Sequence, residues 1–218
     1  MPPHKARYGE ACDYLEREIR KLGVDIHLNA AVTEVELDSR KPDAVILATG
    51  SVPFVPPIQG LSGGGAVLVD DVLEGRAPVG RRVAIIGGGA IGAETAHLLV
   101  EEEDREVYLI GIAVDLPQDA RICLLHAFEQ TPSLHQITNA KVTAVTPESI
   151  TLERQGQTEV VDRLDTIILA VGARPNQGLR PALEALGIPF LVSGDATGPK
   201  DYVKAIYEGF VAGNTIAE

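Results

Sequence analysis

The spacing of apolar and polar residues changes period several times along the chain. From Tyr8 to Leu22 the apolar Leu15, Ile19 and Leu22 recur at helical spacing around Glu16, Arg17 and Arg20, which predicts an amphipathic helix ended by Gly23. Val24 to Leu28 and Val32 to Leu37 alternate apolar with polar and predict half-buried strands. Ala44 to Ala48 is instead a continuous apolar run, of the sort covered on both faces in a parallel sheet. Ser51 to Gly60, with Pro53, Pro56 and Pro57, predicts an extended connector between domains. Beyond it Ala66 to Val69 and Arg82 to Ile86 read as strands, Ala90 to Val100 as a helix, Val107 to Ile110 as a strand and Asp119 to Gln130 as a helix. This is βαβ order. Strands near Leu134 to Thr138, Val142 to Val145, Ser149 to Glu153, Thr166 to Val171 and Phe190 to Ser193 follow, with a closing helix from about Lys200 to Ile216.

The same grammar is used twice, and with similar letters. Asp43-Ala-Val-Ile-Leu-Ala-Thr-Gly-Ser-Val-Pro53 lies over Asp165-Thr-Ile-Ile-Leu-Ala-Val-Gly-Ala-Arg-Pro175, and Asn29-Ala-Ala-Val-Thr-Glu-Val35 over Asn139-Ala-Lys-Val-Thr-Ala-Val145, in the same order. An internal repeat of this kind means one supersecondary unit used twice. The second unit contains a glycine-rich turn at Gly87. The interval from Gly87 to Gly172, laid back from Gly50, falls ahead of Met1. The expectation is that the matching strand, glycine turn and helix of the first unit belong to a stretch not contained in these residues.

The strongest chemical signal is Gly87-Gly88-Gly89-Ala90-Ile91-Gly92, a GxGxxG that follows the strand Val83 to Ile86 and opens the helix carrying Ala93, Ala96, Leu98 and Leu99. Gly87 allows the tight turn, Gly89 removes the side chain that would block a pyrophosphate, and Gly92 lets the helix pack close to the sheet. Phosphates would meet free amides at a helix N-terminus, where the macrodipole favours negative charge. The bland alternative is a tight strand–helix turn with no ligand. Gly63, Gly64 and Gly65 instead precede a strand, offer no helix N-terminus and read as a flexible hinge. A ribose-binding acid is expected about 20 residues past the fingerprint, at the end of Val107 to Ile110. Gly111 stands there, and Asp115 comes four residues late, so NAD and NADP both stay open. Glu94, placed in the first turn of the fingerprint helix, reads equally as a solvated acid or as a group near the cofactor, and Glu101 to Asp104 as a solvated face.

Composition narrows the choices. The 218 residues are 45% hydrophobic and 23% charged, enough for a real core in one or two domains. A formal charge of −12 repels phosphate backbones and anionic lipid, so neither nucleic acid nor membrane is expected as a partner. No apolar run reaches the roughly 20 residues of a membrane span and the first residues are too charged for a signal peptide, which places the chain in the cytoplasm. Cys12 and Cys123 form no CxxC and are expected to be buried thiols; the five histidines, His4, His27, His97, His126 and His135, are scattered, so no metal site and no hydrolase are signalled.

Ala48-Thr49-Gly50 after a buried strand, the fingerprint Gly87 to Gly92, Gly172-Ala-Arg-Pro-Asn176 and Gly194-Asp195 before the closing helix together resemble the flavoproteins with two dinucleotide-binding domains. Tyr14-Leu-Glu-Arg-Glu-Ile-Arg-Lys-Leu-Gly-Val24, the stretch from Val72 to Ile86 and Ala205-Ile-Tyr-Glu-Gly-Phe210 look like the C-terminal region of the 2,4-dienoyl-CoA reductase, 2-enoate reductase and trimethylamine dehydrogenase family. The resemblance covers essentially the whole chain. It implies an α/β fold with two Rossmann-like domains of the glutathione-reductase type, the first incomplete at its N-terminal side. Residues 1–60 and 178–218 would form the FAD-type part and residues 61–177 an inserted NAD(P)-type domain.

The resemblance puts Ala48, Thr49 and Gly50 against the FAD diphosphate, Gly194 and Asp195 on its ribityl-pyrophosphate part, Glu94 near the nicotinamide, and Gly172 in the loop closing the NAD(P) site. The implied cofactors are FAD and NAD(P), and the implied chemistry is hydride transfer from NAD(P)H to FAD, with no catalytic side chain named. The implied partner is the missing N-terminal part of the same enzyme, a flavin barrel and the first FAD-binding βαβ; a homo-oligomer stays open. The sequence carries no cysteine set for the iron–sulfur cluster of the family's reductases. The rival reading is a non-catalytic module that holds ADP or a dinucleotide.

Overall fold

The structure is a computed structural model in which residues 6–61, 65–101, 104–111 and 118–216 are described. The elements in chain order are α1 (Ala6–Lys21), α2 (Glu34–Arg40), β1 (Val45–Leu47), β2 (Ser51–Pro53), β3 (Val67–Leu68), α3 (Val69–Leu73), β4 (Arg82–Ile86), α4 (Ala90–Glu101), β5 (Glu106–Ile110), α5 (Gln118–Glu129), β6 (Leu134–Ile137), β7 (Ala140–Thr146), β8 (Ser149–Arg154), β9 (Gln157–Val161), β10 (Thr166–Leu169), β11 (Ala173–Pro175), α6 (Arg180–Leu186), β12 (Phe190–Val192), a 3₁₀ turn (Gly194–Thr197) and α7 (Tyr202–Ile216). They fall into two compact units, one from Met1–Leu15 with Val55–Gly172 and the other from Glu16–Phe54 with Ala173–Glu218.

The first unit is built on a parallel sheet of order β3-β10-β4-β5-β6. Because β4 and β10 lie in its middle, they must be apolar on both faces, which is why Val83-Ala-Ile-Ile86 and Ile167-Ile-Leu169 show no alternation. One face, through Val83, Ile85, Val107, Leu109 and Ile168, packs on Ala93, Ala96 and Leu99 of α4 and Phe128 of α5. The opposite face, through Ala84, Ile86, Ile110, Ile167 and Leu169, is covered by the antiparallel meander β7-β8-β9 with Val142, Val145, Ile150, Leu152 and Val161. Burying each large side chain of these two layers contributes about 1.5–3 kcal/mol. Asp165 ties the bottom of the sheet, its Oδ2 accepting the amides of Arg81 at 2.9 Å and Arg82 at 2.8 Å.

The second unit has a parallel pair β1–β12 and an antiparallel pair β2–β11. Its described core is small: Leu37, Leu47, Leu183, Ala196 and Ala212 are buried. The repeat has a structural counterpart. β1 and β10 each run into a turn with a positive-φ glycine, Gly50 and Gly172, and the short strands that follow pair with each other, Arg174 opposite Val52.

Three expectations fail. Val32 to Leu37 is not a strand, since Thr33 opens α2: its hydroxyl accepts the Glu36 amide at 3.3 Å while the Glu36 carboxylate accepts the Thr33 amide at 3.0 Å. That reciprocal cap outweighs an apolar alternation with no neighbouring strand to pair with. Val24 to Leu28 likewise forms no strand. Cys12 and Cys123 are exposed rather than buried, because α5 turns Phe128 inward and the face of α1 that carries Cys12 with Leu15 and Ile19 is itself exposed. β9, β11, α3 and α6 were not expected; β9, for one, holds only Val160 and Val161 as apolar residues and shows no alternation. Gly63, Gly64, Asp115 and His4 lie outside the described residues.

On the meander side, near the N-terminal ends of β4, β5 and β6, four side chains interlock. Arg82 reaches Glu106 Oε2 at 2.9 Å and the Tyr108 hydroxyl at 2.7 Å, Tyr108 donates to Glu106 Oε1 at 2.7 Å, and His135 Nε2 lies 3.0 Å from the same oxygen. The Tyr108 hydrogen bond, with Arg82 and His135 beside it, holds the Glu106 carboxyl below the ordinary value of 4.5, while burial and the Glu106 contact push Tyr108 above 10.0. The stability that Glu106 contributes is therefore present above 4.5 and lost as pH falls below it; that from Tyr108 is present below 10.0 and lost as pH rises. Glu106→Gln should cost about 1 kcal/mol at neutral pH, the site being partly exposed and screened, and should flatten the acid limb of urea midpoint against pH. An unchanged acid limb would show that the network does not stabilise the fold.

Candidate cofactor-binding sites

In the first unit β4 ends at Ile86 and the chain turns through Gly87, Gly88 and Gly89 into α4, whose first intrahelical bond runs from the Ala93 amide to the Gly89 carbonyl at 2.9 Å. The amides of Ala90 and Ile91 open the helix without an intrahelical acceptor. Gly87 has φ +112, and a Cβ on it would lie 2.3 Å from the Ala170 carbonyl oxygen. A Cβ on Gly92 would lie 1.9 Å from the Gly87 carbonyl oxygen, so the helix start and the turn touch backbone to backbone. The turn sits at the C-terminal end of the parallel sheet, where open α/β sheets bind ligands. A cleft of about 540 Å³ borders it, lined in part by Pro57, Ile86, Gly87, Ile110, Lys141 and Val171.

Gly111 has a specific reason to be glycine. A Cβ there would lie 2.5 Å from the Gly88 amide nitrogen, so the end of β5 presses on the fingerprint turn and no acid can stand at this position. Glu94 is half-buried and begins the second turn of α4, not the first as its spacing suggested. Glu101 is exposed with His97 at 3.9 Å, and Asp104 lies 3.4 Å from Arg81. Among the described residues no group of three His, Cys, Asp or Glu could hold a metal ion.

In the second unit Ala48, Thr49 and Gly50 follow β1, and the Gly50 carbonyl accepts the Asn176 amide at 2.9 Å while the Thr49 hydroxyl donates to the Asn176 carbonyl. Opposite them the 3₁₀ turn carries Gly194 and Asp195. Asp195 Oδ1 accepts the Lys200 amide at 3.1 Å, and its Oδ2 faces the Ser51 hydroxyl at 3.4 Å. A cleft of about 500 Å³ is lined here by Ala48, Gly50, Gly194, Asp195, Lys200 and Tyr202 among others. Sequence reasoning had named Ala48, Gly50, Gly194 and Asp195, and the structure brings them onto this one cleft. It had missed Lys200 and Glu208, whose side chains meet at 2.5 Å. No helical or strand spacing joins those two positions, so only the turn could have placed them together. The Lys200 ammonium, with help from Thr197 and the Gly194 amide, holds the Glu208 carboxyl below 4.5 against a desolvation effect that raises it.

Residues 38–197 match the family described as pyridine nucleotide-disulphide oxidoreductase. The chain belongs to that family. It is 33% identical over 220 residues to the bilirubin reductase of Mediterraneibacter gnavus, covering 99% of this chain and 34% of that protein. It is 30% identical over 217 residues to the NADH oxidase of Thermoanaerobacter brockii, covering 95% and 33%. The fold matches a 2-naphthoyl-CoA reductase complex with a TM-score of 0.86 at 24% identity, over 97% of this chain and 33% of that one. The chain thus spans about a third of the length of these relatives.

The family's cofactors are FAD and NAD(P), and both clefts fit them. The fingerprint turn leaves backbone amides open with no Cβ in the way, and the second cleft presents a carboxylate oxygen whose protein partner, Ser51, is distant enough for a ligand hydroxyl to compete. Among the described residues no helix is long and apolar enough to cross a membrane.

Two substitutions test the geometry. Gly92→Ala should lower the thermal midpoint sharply, by an amount worth about 3 kcal/mol, since two backbone segments must separate. Gly111→Asp, designed to restore a ribose acid, should instead destabilise the fold and fail to strengthen NADH binding in isothermal titration. Tighter NADH binding by Gly111→Asp would mean that the end of β5 has room the packing denies.

Proposed function

We infer that this chain is the part of a larger flavin-dependent oxidoreductase that brings NAD(P)H to FAD, feeding a separate flavin domain that acts on an enoate, an enoyl-CoA or an amine. The observation that carries the reading is the glycine turn at the C-terminal end of the parallel sheet, where backbone contacts exclude side chains at Gly87 and Gly92. The Asp195 cleft of the second unit and the two reductive relatives support it. The division into an FAD-type part, residues 1–60 and 178–218, and an NAD(P)-type insert, residues 61–177, belongs to the same reading, as does a cytoplasmic setting.

Gly88, Gly89, Ala90, Ile91 and Gly92 would hold the NAD(P) diphosphate by backbone amides and the α4 dipole, with Gly87, whose own amide donates to the Ile110 carbonyl at 3.0 Å, shaping the turn and Glu94, Gly111 and Gly172 around it. Ala48, Thr49, Gly50, Gly194 and Asp195 would face FAD. When bound, the two cofactors supply hydride donation and acceptance between their rings. The residues of this chain bind and orient: Asp195 offers an anionic acceptor to a hydroxyl, and the turn at Gly87 offers donors to a diphosphate. No side chain is required to move a proton, and none is assigned as catalytic.

Leu22 is 80% exposed, Val203 74% and Phe210 69%, in a unit whose parallel sheet has only two strands. A pair of strands with so small a core is marginal alone. A further βαβ with its flavin barrel, from the same enzyme, is the cover that this unit's architecture calls for; self-association is the alternative that sedimentation would reveal.

One observation favours a second reading, a non-catalytic module that holds ADP or a dinucleotide: Gly111 removes the usual ribose acid. The absorbance spectrum of the purified protein separates the two. Flavin bands near about 450 nm that bleach on adding NADH are expected for the oxidoreductase. A colourless protein that binds ADP and does not oxidise NADH in the presence of added FAD would establish the second reading. Gly89→Val should abolish NAD(P)H binding while leaving the flavin bands; unaltered NADH affinity in that variant would overturn the fingerprint assignment.

A further inference from the structure

The segment from Gly194 to Lys200 is held by a carboxylate outside the lining of its cleft. Glu208, in the second turn of α7, accepts the Gly194 amide on Oε2 at 3.0 Å, with the Thr197 hydroxyl 3.1 Å from the same oxygen. Its other oxygen, Oε1, lies 2.5 Å from Lys200 Nζ, which also reaches the Thr197 hydroxyl at 2.6 Å. The same Lys200 donates its backbone amide to Asp195 Oδ1 at 3.1 Å, and the Gly198 amide donates to the Asp195 carbonyl at 3.1 Å. One Asp195 oxygen is thus engaged by a residue whose side chain Glu208 grips, and the other is left toward Ser51 and the cleft. Only 18% of the Glu208 side chain and 29% of that of Lys200 are exposed, so water competes weakly for these contacts.

We propose that Glu208 is the positioning residue of this cleft: by holding Gly194, Thr197 and Lys200 together it fixes the backbone that turns Asp195 Oδ2 toward a cofactor hydroxyl. The role rests on the reading of this cleft as the FAD side and deepens it.

The test is FAD titration of the full chain, followed by flavin fluorescence, with NADH affinity and the melting curve measured on each variant. Glu208→Ala should weaken FAD binding by about tenfold, the worth of one charge-assisted hydrogen bond, and Glu208→Gln, which keeps an acceptor for the Gly194 amide, by less. NADH affinity, which belongs to the other unit, should not change. Because Glu208 acts through Asp195, Glu208→Ala should add nothing to the loss already caused by Asp195→Asn, whereas a merely structural residue would add its own increment. Undiminished FAD affinity in Glu208→Ala or additive losses in the double variant would each overturn the role of Glu208. A parent protein that binds NADH but no FAD would instead remove the reading of the cleft itself, and this role with it.

Discussion

Three stretches of backbone close on one turn in the first unit, and the rest of its architecture is arranged around that meeting. The turn after β4 touches the end of β10 at Gly87, the start of α4 at Gly92 and the end of β5 at Gly111, each at a distance no Cβ could occupy. A parallel sheet brings the ends of its central strands side by side, and here the space between them is filled by peptide groups in place of side chains. Because α4 begins inside this junction, its amides open at the strand ends, and the Ala93, Ala96 and Leu99 stripe is already aimed at Val83 and Ile85. The binding geometry and the core packing are thus one constraint seen from two sides.

The two clefts solve opposite electrostatic problems. The fingerprint turn offers neutral donors and a helix dipole, suited to a diphosphate in a chain whose formal charge is −12. The second cleft surrounds Asp195 with Asp201 and a lysine already paired to Glu208. In a chain this acidic, the donors that the glycine turn offers to an anion come from the backbone. Side-chain charge enters where orientation is needed.

How much of this could be read beforehand depended on how local the cause was. The fingerprint, the apolar runs of β4 and β10 and the helix α4 were all legible, since each is a statement about period or backbone freedom within a few residues; the Gly194–Asp195 pair was named only through the family resemblance. Thr33 and Glu36 were legible in principle as a reciprocal cap, yet the alternation of Val32 to Leu37 read as a strand, and the near-identical Val142 to Val145 does form one. The two copies differ because β7 has β8 beside it and the first copy has a cap and no partner strand. Gly111 was seen only as an acid that was absent; its cause, contact with Gly88, lies across the sheet.

The sequence by itself determined the fold class, the family and the position of the glycine turn, because those follow from short-range patterns that any neighbourhood must respect. Tertiary structure alone decided that Gly111 packs against Gly88, that β2 pairs with β11, and that Glu208 closes on Gly194 and Lys200. Each of these joins residues that have no periodic relation along the chain. Their partners exist only once strands and helices have been brought together, so the interaction energies that select them are absent from any local window of residues.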